Sequence, residues 1–284
     1  METRRFDDAS EFLAVTARLL LEDEARHNLI LGLAGTLRDR PGLYREYRLW
    51  VVDRNGTVVA AALQTPPFNL VLARPADDDA LEELADTIAA EGIDLPGVVA
   101  ATHEADRFAA AWERRRGTTR RLRRAQRIYA LREVRTVEDV PGRARAATVQ
   151  DRSLLIDWTG AFAREAYGDT PSPADDSERV VDGRLSGEGS GFLLWESGQG
   201  LVSMAGWGGP TPNGIRIGPV YTPPEYRSRG YGSAVTAAVS VERLAAGRTF
   251  CFLYTDLANP TSNKIYLDIG YEPVCDAVDY AFES

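Results

Sequence analysis

Cysteine is scarce in this 284-residue chain, with Cys251 and Cys275 the only two. Two thiols cannot build a disulfide framework, so burial of apolar surface must hold the fold. Histidine is as rare, and His27 and His103 stand apart from any cysteine cluster with zinc-site spacing. Lysine is nearly absent, Lys264 being the sole one among 33 basic residues; no function attaches to that bias. Positive charge is not in excess either. A formal net charge of −9 opposes a dedicated binder of nucleic acid or anionic membrane. No apolar run reaches the roughly 20 residues of a spanning helix, and Met1 to Ser10 is charged rather than signal-like. What remains is ordinary globular composition, 44% hydrophobic and 26% charged, which excludes a largely disordered chain. The expectation is a soluble, cytoplasmic, metal-free protein, monomer or homodimer, built as one large domain or two of ordinary size.

Periodicity gives the organisation. From Ser10 to Leu33 the apolar residues recur at helical spacing. Leu49–Val52 and Val58–Leu63 are apolar, β-branched runs around Asp53-Arg54-Asn55-Gly56, a strong hairpin signal. Strands are predicted at Leu70–Ala73, Leu95–Ala101 and Ile128–Val134, and helices at Asp77–Ala90 and Ala105–Trp112. A second series begins near residue 135. Helices are expected at Leu154–Tyr167, Arg179–Leu185, Gly232–Ala246 and Asn263–Asp268. Strands are expected at Gly191–Trp195, Leu201–Trp207, Ile215–Tyr221, Phe250–Thr255 and Val278–Phe282. The two series run in the same order, which predicts two related α/β units, 1–134 and 135–284.

Candidate chemistry concentrates in the second unit. From Ile215 to Ser233 the sequence reads as a strand, a tight loop and a helix start. Pro219 donates no ladder hydrogen bond, so the strand should bulge there and expose backbone groups. Gly230 and Gly232 permit close backbone approach ahead of a helix N-terminus, the arrangement of a phosphate cradle. Arg227 and Arg229 add positive charge suited to a diphosphate. A plain glycine turn would carry the same glycines. Further on, Asn259 precedes Tyr266 by seven residues, about two helical turns. Asn259 fits an N-cap and Tyr266 a core aromatic as readily as it fits a site.

Taken together, these residues resemble the GCN5-related N-acetyltransferase family over roughly Leu154 to Phe282, best from Ile215 to Pro273. Its Arg/Gln-x-x-Gly-x-Gly/Ala loop falls on Arg227, Gly230 and Gly232. Its Asn-x6-Tyr-x3-Gly-aromatic element falls on Asn259, Tyr266, Gly270 and Tyr271. The resemblance implies a mixed, splayed sheet flanked by helices in each of two tandem units, with acetyl-CoA bound where two parallel strands diverge. It implies that backbone at Val220, Tyr221 and Thr222 hydrogen-bonds the pantetheine. It further implies that Arg227, Ser228, Arg229, Gly230, Tyr231, Gly232 and Ser233 hold the pyrophosphate, and that Asn259 orients the pantetheine arm. The implied reaction is direct attack of an amine on the thioester, with a backbone N–H near Val220 or Tyr221 at the oxyanion and Tyr266 as proton donor to the thiolate.

The sequence departs from the family pattern at the base. The strand before the loop carries Arg216 and no carboxylate. Glu196, Asp169, Asp175, Asp256 and the Ser284 terminus are candidates, and none is assigned. The first unit lacks both motifs, and Asp77, Asp78 and Asp79 stand where a phosphate loop would be. It is expected to be a degenerate copy without a cofactor site that walls the substrate cleft. Eight arginines between Glu113 and Arg127 read as a solvated face or inter-domain salt bridges rather than a nucleic-acid patch. Phe162 and Tyr167 lie in the segment that borders the acceptor site in this family. The expected acceptor is a small-molecule primary amine, with a protein or peptide amine second. The rival reading is a non-catalytic acyl-CoA sensor.

Overall fold

Asn55 and Gly56 form the turn that their sequence predicts. Both adopt positive φ (53° and 80°), and Asp53 accepts the Gly56 N–H at 2.6 Å. The turn joins β2 (Arg48–Arg54) to β3 (Thr57–Gln64), and it sets their register with Val51 opposite Ala61. The computed structural model describes residues 1–168, 176–187 and 189–284. Its chain divides into two units, residues 1–128 with 274–284, and residues 129–273.

The first unit continues with β1 (Glu2–Phe6), α1 (Ala9–Leu21), α2 (Asn28–Asp39), β4 (Leu70–Leu72), α3 (Asp79–Ala90), β5 (Gly97–Ala101) and α4 (Thr102–Arg116). β6 (Thr119–Leu131) crosses the boundary after residue 128. Within the first unit the strand order is β1-β2-β3-β4-β5-β12, where β12 is Glu272–Glu283. All neighbours are antiparallel except β4 with β5. Successive residues of β2 enter opposite cores. Leu49 and Val51 pack with Phe12, Leu20 and Ile30, whereas Trp50 and Val52 pack with Leu84, Ile88 and Phe108. Both faces are covered by helices, so the strand reads as an unbroken apolar run rather than an alternating one.

The second unit holds β7 (Arg143–Ala146), α5 (Arg152–Tyr167), α6 (Ser177–Ser186), β8 (Gly191–Ser197), β9 (Gly200–Gly208), β10 (Gly214–Tyr221), α7 (Tyr231–Ala245), β11 (Phe250–Asp256) and α8 (Pro260–Ile269). Its strands run β11-β10-β9-β8-β7, parallel only between β10 and β11. One face carries Leu193, Ala205, Ile215 and Ile217 against Val235 and Val239 of α7. The other carries Phe192, Leu194, Met204 and Tyr221 against Leu155 of α5 and Val181 of α6. Each unit is thus a mixed sheet between helical layers, as expected. Among the described residues no helix is long and apolar enough to cross a membrane.

Two readings of the sequence change. The division at 134/135 moves, because residues 129–134 lie in the second unit and residues from Val274 onward lie in the first. There Val278 pairs with Ala100, and Phe282 stacks on Trp112 at 5.9 Å. Strands β1 and β7 have no predicted counterpart. Both are edge strands rich in arginine, and edge positions tolerate charge because only one side is paired. Within the arginine-rich segment, Arg114 and Arg115 pair with Glu82, Arg121 with Glu283 and Arg127 with Asp276. All these partners lie inside the first unit, so these four arginines are neutralised locally.

A polar anchor of the second unit ties β7 to the start of α5. Arg145 makes a bidentate contact with Asp151 at 2.8 and 2.7 Å, and Asp151 also accepts the Thr148 N–H at 2.8 Å in a capping box. The Arg145 guanidinium first, then the Thr148 hydrogen bonds, hold the Asp151 carboxyl down at about 2 despite its burial. A depressed folded-state value stabilises the fold above the unfolded carboxyl pKa, and that contribution is lost as pH falls through it toward 2. Asp151→Asn should therefore cost about 2 kcal/mol at pH 7. Urea titrations at stepped pH should show the gap from wild type closing below pH 4.

Candidate active site

β10 and β11 are in parallel register only from Gly214↔Phe250 to Arg216↔Phe252. Beyond that point each strand runs on without the other, β10 to Tyr221 and β11 to Asp256. The cause lies in β10 itself. Its register with β9 slips between Ile217 and Val220, where Gly218 takes φ 138° and Pro219 has no N–H to donate. The expected bulge is present, and it opens a wedge between two parallel strands at their C-terminal ends.

The backbone on the wedge side of β10 is anchored from the other side. Val220 pairs with Ala205 and Tyr221 with Met204. The Ser203 hydroxyl donates to the Tyr221 carbonyl at 3.1 Å and lies 2.8 Å from the Thr222 hydroxyl. The Tyr221 ring is buried against Trp158, centroids 6.2 Å apart. Burial first, then the nearby Glu165 charge, raises its phenol above the usual tyrosine value.

After a 3-10 turn at Pro224–Tyr226 the loop enters α7 through Ser228 and Gly230, at φ 61° and 80°. No side chain caps α7. The first-turn N–H groups of Tyr231, Gly232 and Ser233 therefore meet no capping side chain, and the positive end of the helix is open to an anion. The first unit differs at the corresponding helix. Asp77 accepts the Asp79 N–H at 3.0 Å and pairs with Arg54, closing the start of α3 with a carboxylate. Of the two loop arginines, Arg227 is committed within the fold. Its Nε donates to the Thr222 carbonyl at 3.0 Å, and its Nη2 holds both oxygens of Glu165 at 2.8 Å. Among the described residues, Arg229 reaches only the Gln199 side chain, at 2.9 Å.

Asn259 is the N-cap of α8, its Oδ1 accepting from Ser262 N–H at 3.0 Å. Asn263 fastens the same corner. Its Nδ2 donates to the Asp256 and Asn259 carbonyls, and its Oδ1 accepts from the Tyr129 hydroxyl at 3.0 Å. Tyr266 is half-buried, its ring 6.4 Å from that of Tyr129 and 5.8 Å from that of Tyr271. Burial pushes its phenol up to about 12. Tyr271 bonds to Ser240 at 2.8 Å and is wholly buried, so the aromatic of the Gly-Tyr step is a packing residue.

The base candidates divide. Glu196 pairs with Arg143 at 3.1 Å, and Asp256 accepts the Ala258 N–H at 2.7 Å in the turn before α8. Ser284 lies in the first unit. Asp169 and Asp175 lie outside the described residues. Among the described residues, no three His, Cys, Asp or Glu side chains converge to hold a metal ion. Sequence reasoning missed Glu165, which fixes Arg227, and Val140, which packs over Gly230. Neither sits in a motif, and only tertiary packing brings them there.

A Cβ at Gly230 would stand 2.8 Å from Val140 Cγ2 in a left-handed conformation, whereas one at Gly232 meets only Thr222 Oγ1, at 3.4 Å. Gly230→Ala should cost about 1–2 kcal/mol. Gly232→Ala should lie within about 0.5 kcal/mol of wild type, and denaturant midpoints of the two variants check the contrast.

The family model of FR47-like protein matches residues 196–278. No curated protein matches the chain. Among solved structures, a GNAT-family acetyltransferase from Colwellia psychrerythraea is similar over 100% of both chains, at 13% identity and TM-score 0.59. A GCN5-related N-acetyltransferase from Sphaerobacter thermophilus covers 98% of this chain and 94% of its own, at 18% identity and TM-score 0.60. A tandem GNAT protein from the clavulanic acid biosynthesis pathway covers 99% of this chain and 98% of its own, at 15% identity and TM-score 0.59. From end to end, therefore, the chain has the fold of the GCN5-related N-acetyltransferases.

Proposed function

We propose that the chain is an acetyl-CoA-dependent N-acetyltransferase whose active site lies in the second unit. The observation that carries this reading is the wedge between β10 and β11, followed along the chain by the uncapped start of α7 and by α8 with the Tyr266 phenol. The residues fit the group. An unpaired strand edge suits a ligand with peptide-like amides, and the open start of α7 suits a diphosphate.

In this reading the backbone of Val220, Tyr221 and Thr222 binds the pantetheine, and the loop from Arg227 to Ser233 binds the pyrophosphate. Arg227 shapes the loop through Glu165, leaving Arg229 and the backbone N–H groups to meet the phosphates. Asn259 sets the start of α8 and so the height at which Tyr266 stands. When bound, acetyl-CoA supplies an activated acyl group to an amine. A backbone N–H at the bulge steadies the developing oxyanion. Tyr266 holds its proton at Oη through the neutral range and delivers it to the leaving sulfur. The first unit, with its helix start closed by Asp77, carries no second cofactor site. The acceptor is a small-molecule amine in this reading, with a protein or peptide amine second.

Equilibrium titration with acetyl-CoA should show one site per chain. Tyr266→Phe should leave that affinity within about twofold while lowering kcat about 100- to 1,000-fold. Because Tyr266 stays protonated to about 12, kcat should rise with amine deprotonation and hold level to pH 10, as followed by thiol release. Binding without turnover on any amine would favour the sensor instead.

A further inference from the structure

A guanidinium stands beside the β10 bulge. Arg184 of α6 lies over the sheet face that α5 and α6 cover. Its Nη1 donates to the Trp207 carbonyl at 2.9 Å, and its guanidinium stacks 5.3 Å from the Phe192 ring centroid. The sheet beneath is hollowed to receive it. A Cβ at Gly206 would stand 2.5 Å from Arg184 Nη1, and one at Gly208 would stand 3.7 Å from its Cζ. The same point above Gly206 is 3.0 Å from both the Gly218 carbonyl oxygen and Pro219 Cδ. The guanidinium therefore borders the bulge at which an acyl group would be presented.

Arg216 joins it. Residues directly opposite across an antiparallel pair share a face, and Arg216 is opposite Gly208. Its Nη2 is 3.7 Å from the Cβ position of Gly209. Elsewhere in this unit Arg145, Arg152 and Arg227 each hold a carboxylate, yet no described carboxylate lies within 4.0 Å of Arg184 or Arg216. Burial first, and the charge of Arg216 second, pull Arg184 down to about 9, with only Tyr167 acting the other way. A buried cation with a second positive charge nearby costs stability until an anion completes it. A planar fork with free N–H groups matches the two oxygens of a carboxylate, and equally those of a phosphate, through parallel hydrogen bonds.

We propose that Arg184 and Arg216 bind a carboxylate on the acceptor, so that the substrate is an amino acid or another amine carrying a carboxylate. This rests on the acetyltransferase reading for the amine and on the arginine pair for the carboxylate. The two can fail separately.

Saturation-transfer NMR on the full chain with L-amino acids, their carboxamides and aminoalkyl phosphonates tests it. The acids should bind at least about tenfold more tightly than matched amides. That preference should fall below about twofold in Arg184→Gln and in Arg216→Gln. Arg216→Gln keeps the test alive if Arg184→Gln does not fold, as judged by circular dichroism. Equal binding of acid and amide, or a preference for the phosphonate, overturns the proposal. An acetyl-CoA titration on the same samples separates the two readings. Cofactor binding without acid preference removes the carboxylate site alone. Acid preference without cofactor binding removes the acetyltransferase reading and leaves the arginine pair as a carboxylate site.

Discussion

The parting of β10 from β11 is the constraint on which the second unit turns. Parallel strands in a covered sheet normally stay paired along their length, because an unpaired buried N–H or C=O costs free energy comparable to a lost hydrogen bond. Here the pairing stops at Arg216 and Phe252. Pro219 cannot donate, and the register slip toward β9 turns the following residues away. Exposed backbone of this kind is tolerable only where water or a ligand can reach it. The helices that follow the two strands are α7, whose first N–H groups meet no capping side chain, and α8, which carries Tyr266.

The neighbouring polar contacts hold that opening in shape. Ser203 fixes the end of β10 from behind, Glu165 holds Arg227 against the loop, and Asn263 pins the corner before α8. None of these groups needs to touch a ligand. Their effect is to remove conformational freedom from the backbone that would. Arg227 is instructive, because its motif position suggests a phosphate ligand, while its hydrogen bonds are already spent on Glu165 and on the Thr222 carbonyl. Loop geometry, and not a free guanidinium, is its contribution.

The first unit has the same kind of layered sheet without that opening chemistry. β4 is only three residues long, and the helix after it starts beneath a carboxylate that accepts its N–H group and pairs with Arg54. A diphosphate there would meet negative charge rather than positive. Its core is nonetheless complete, with large buried aromatics at Trp50, Phe108 and Trp112.

The sequence by itself determined the buried strands, the amphipathic helices, the Asn55-Gly56 turn and the two motifs around Gly230 and Tyr266. Each of these rests on local periodicity or on one residue's backbone chemistry. Tertiary structure alone decided the rest. The charged edge strands β1 and β7 carry no apolar signature, since only one side of each is paired. The C-terminal strand lies in the first unit because its partner β5 is more than 170 residues away in sequence. Arg184 and Arg216 are 32 residues apart with no motif linking them, and they become neighbours only when β9, β10 and α6 pack. Strand pairing and side-chain convergence depend on distant residues, and no local pattern records them.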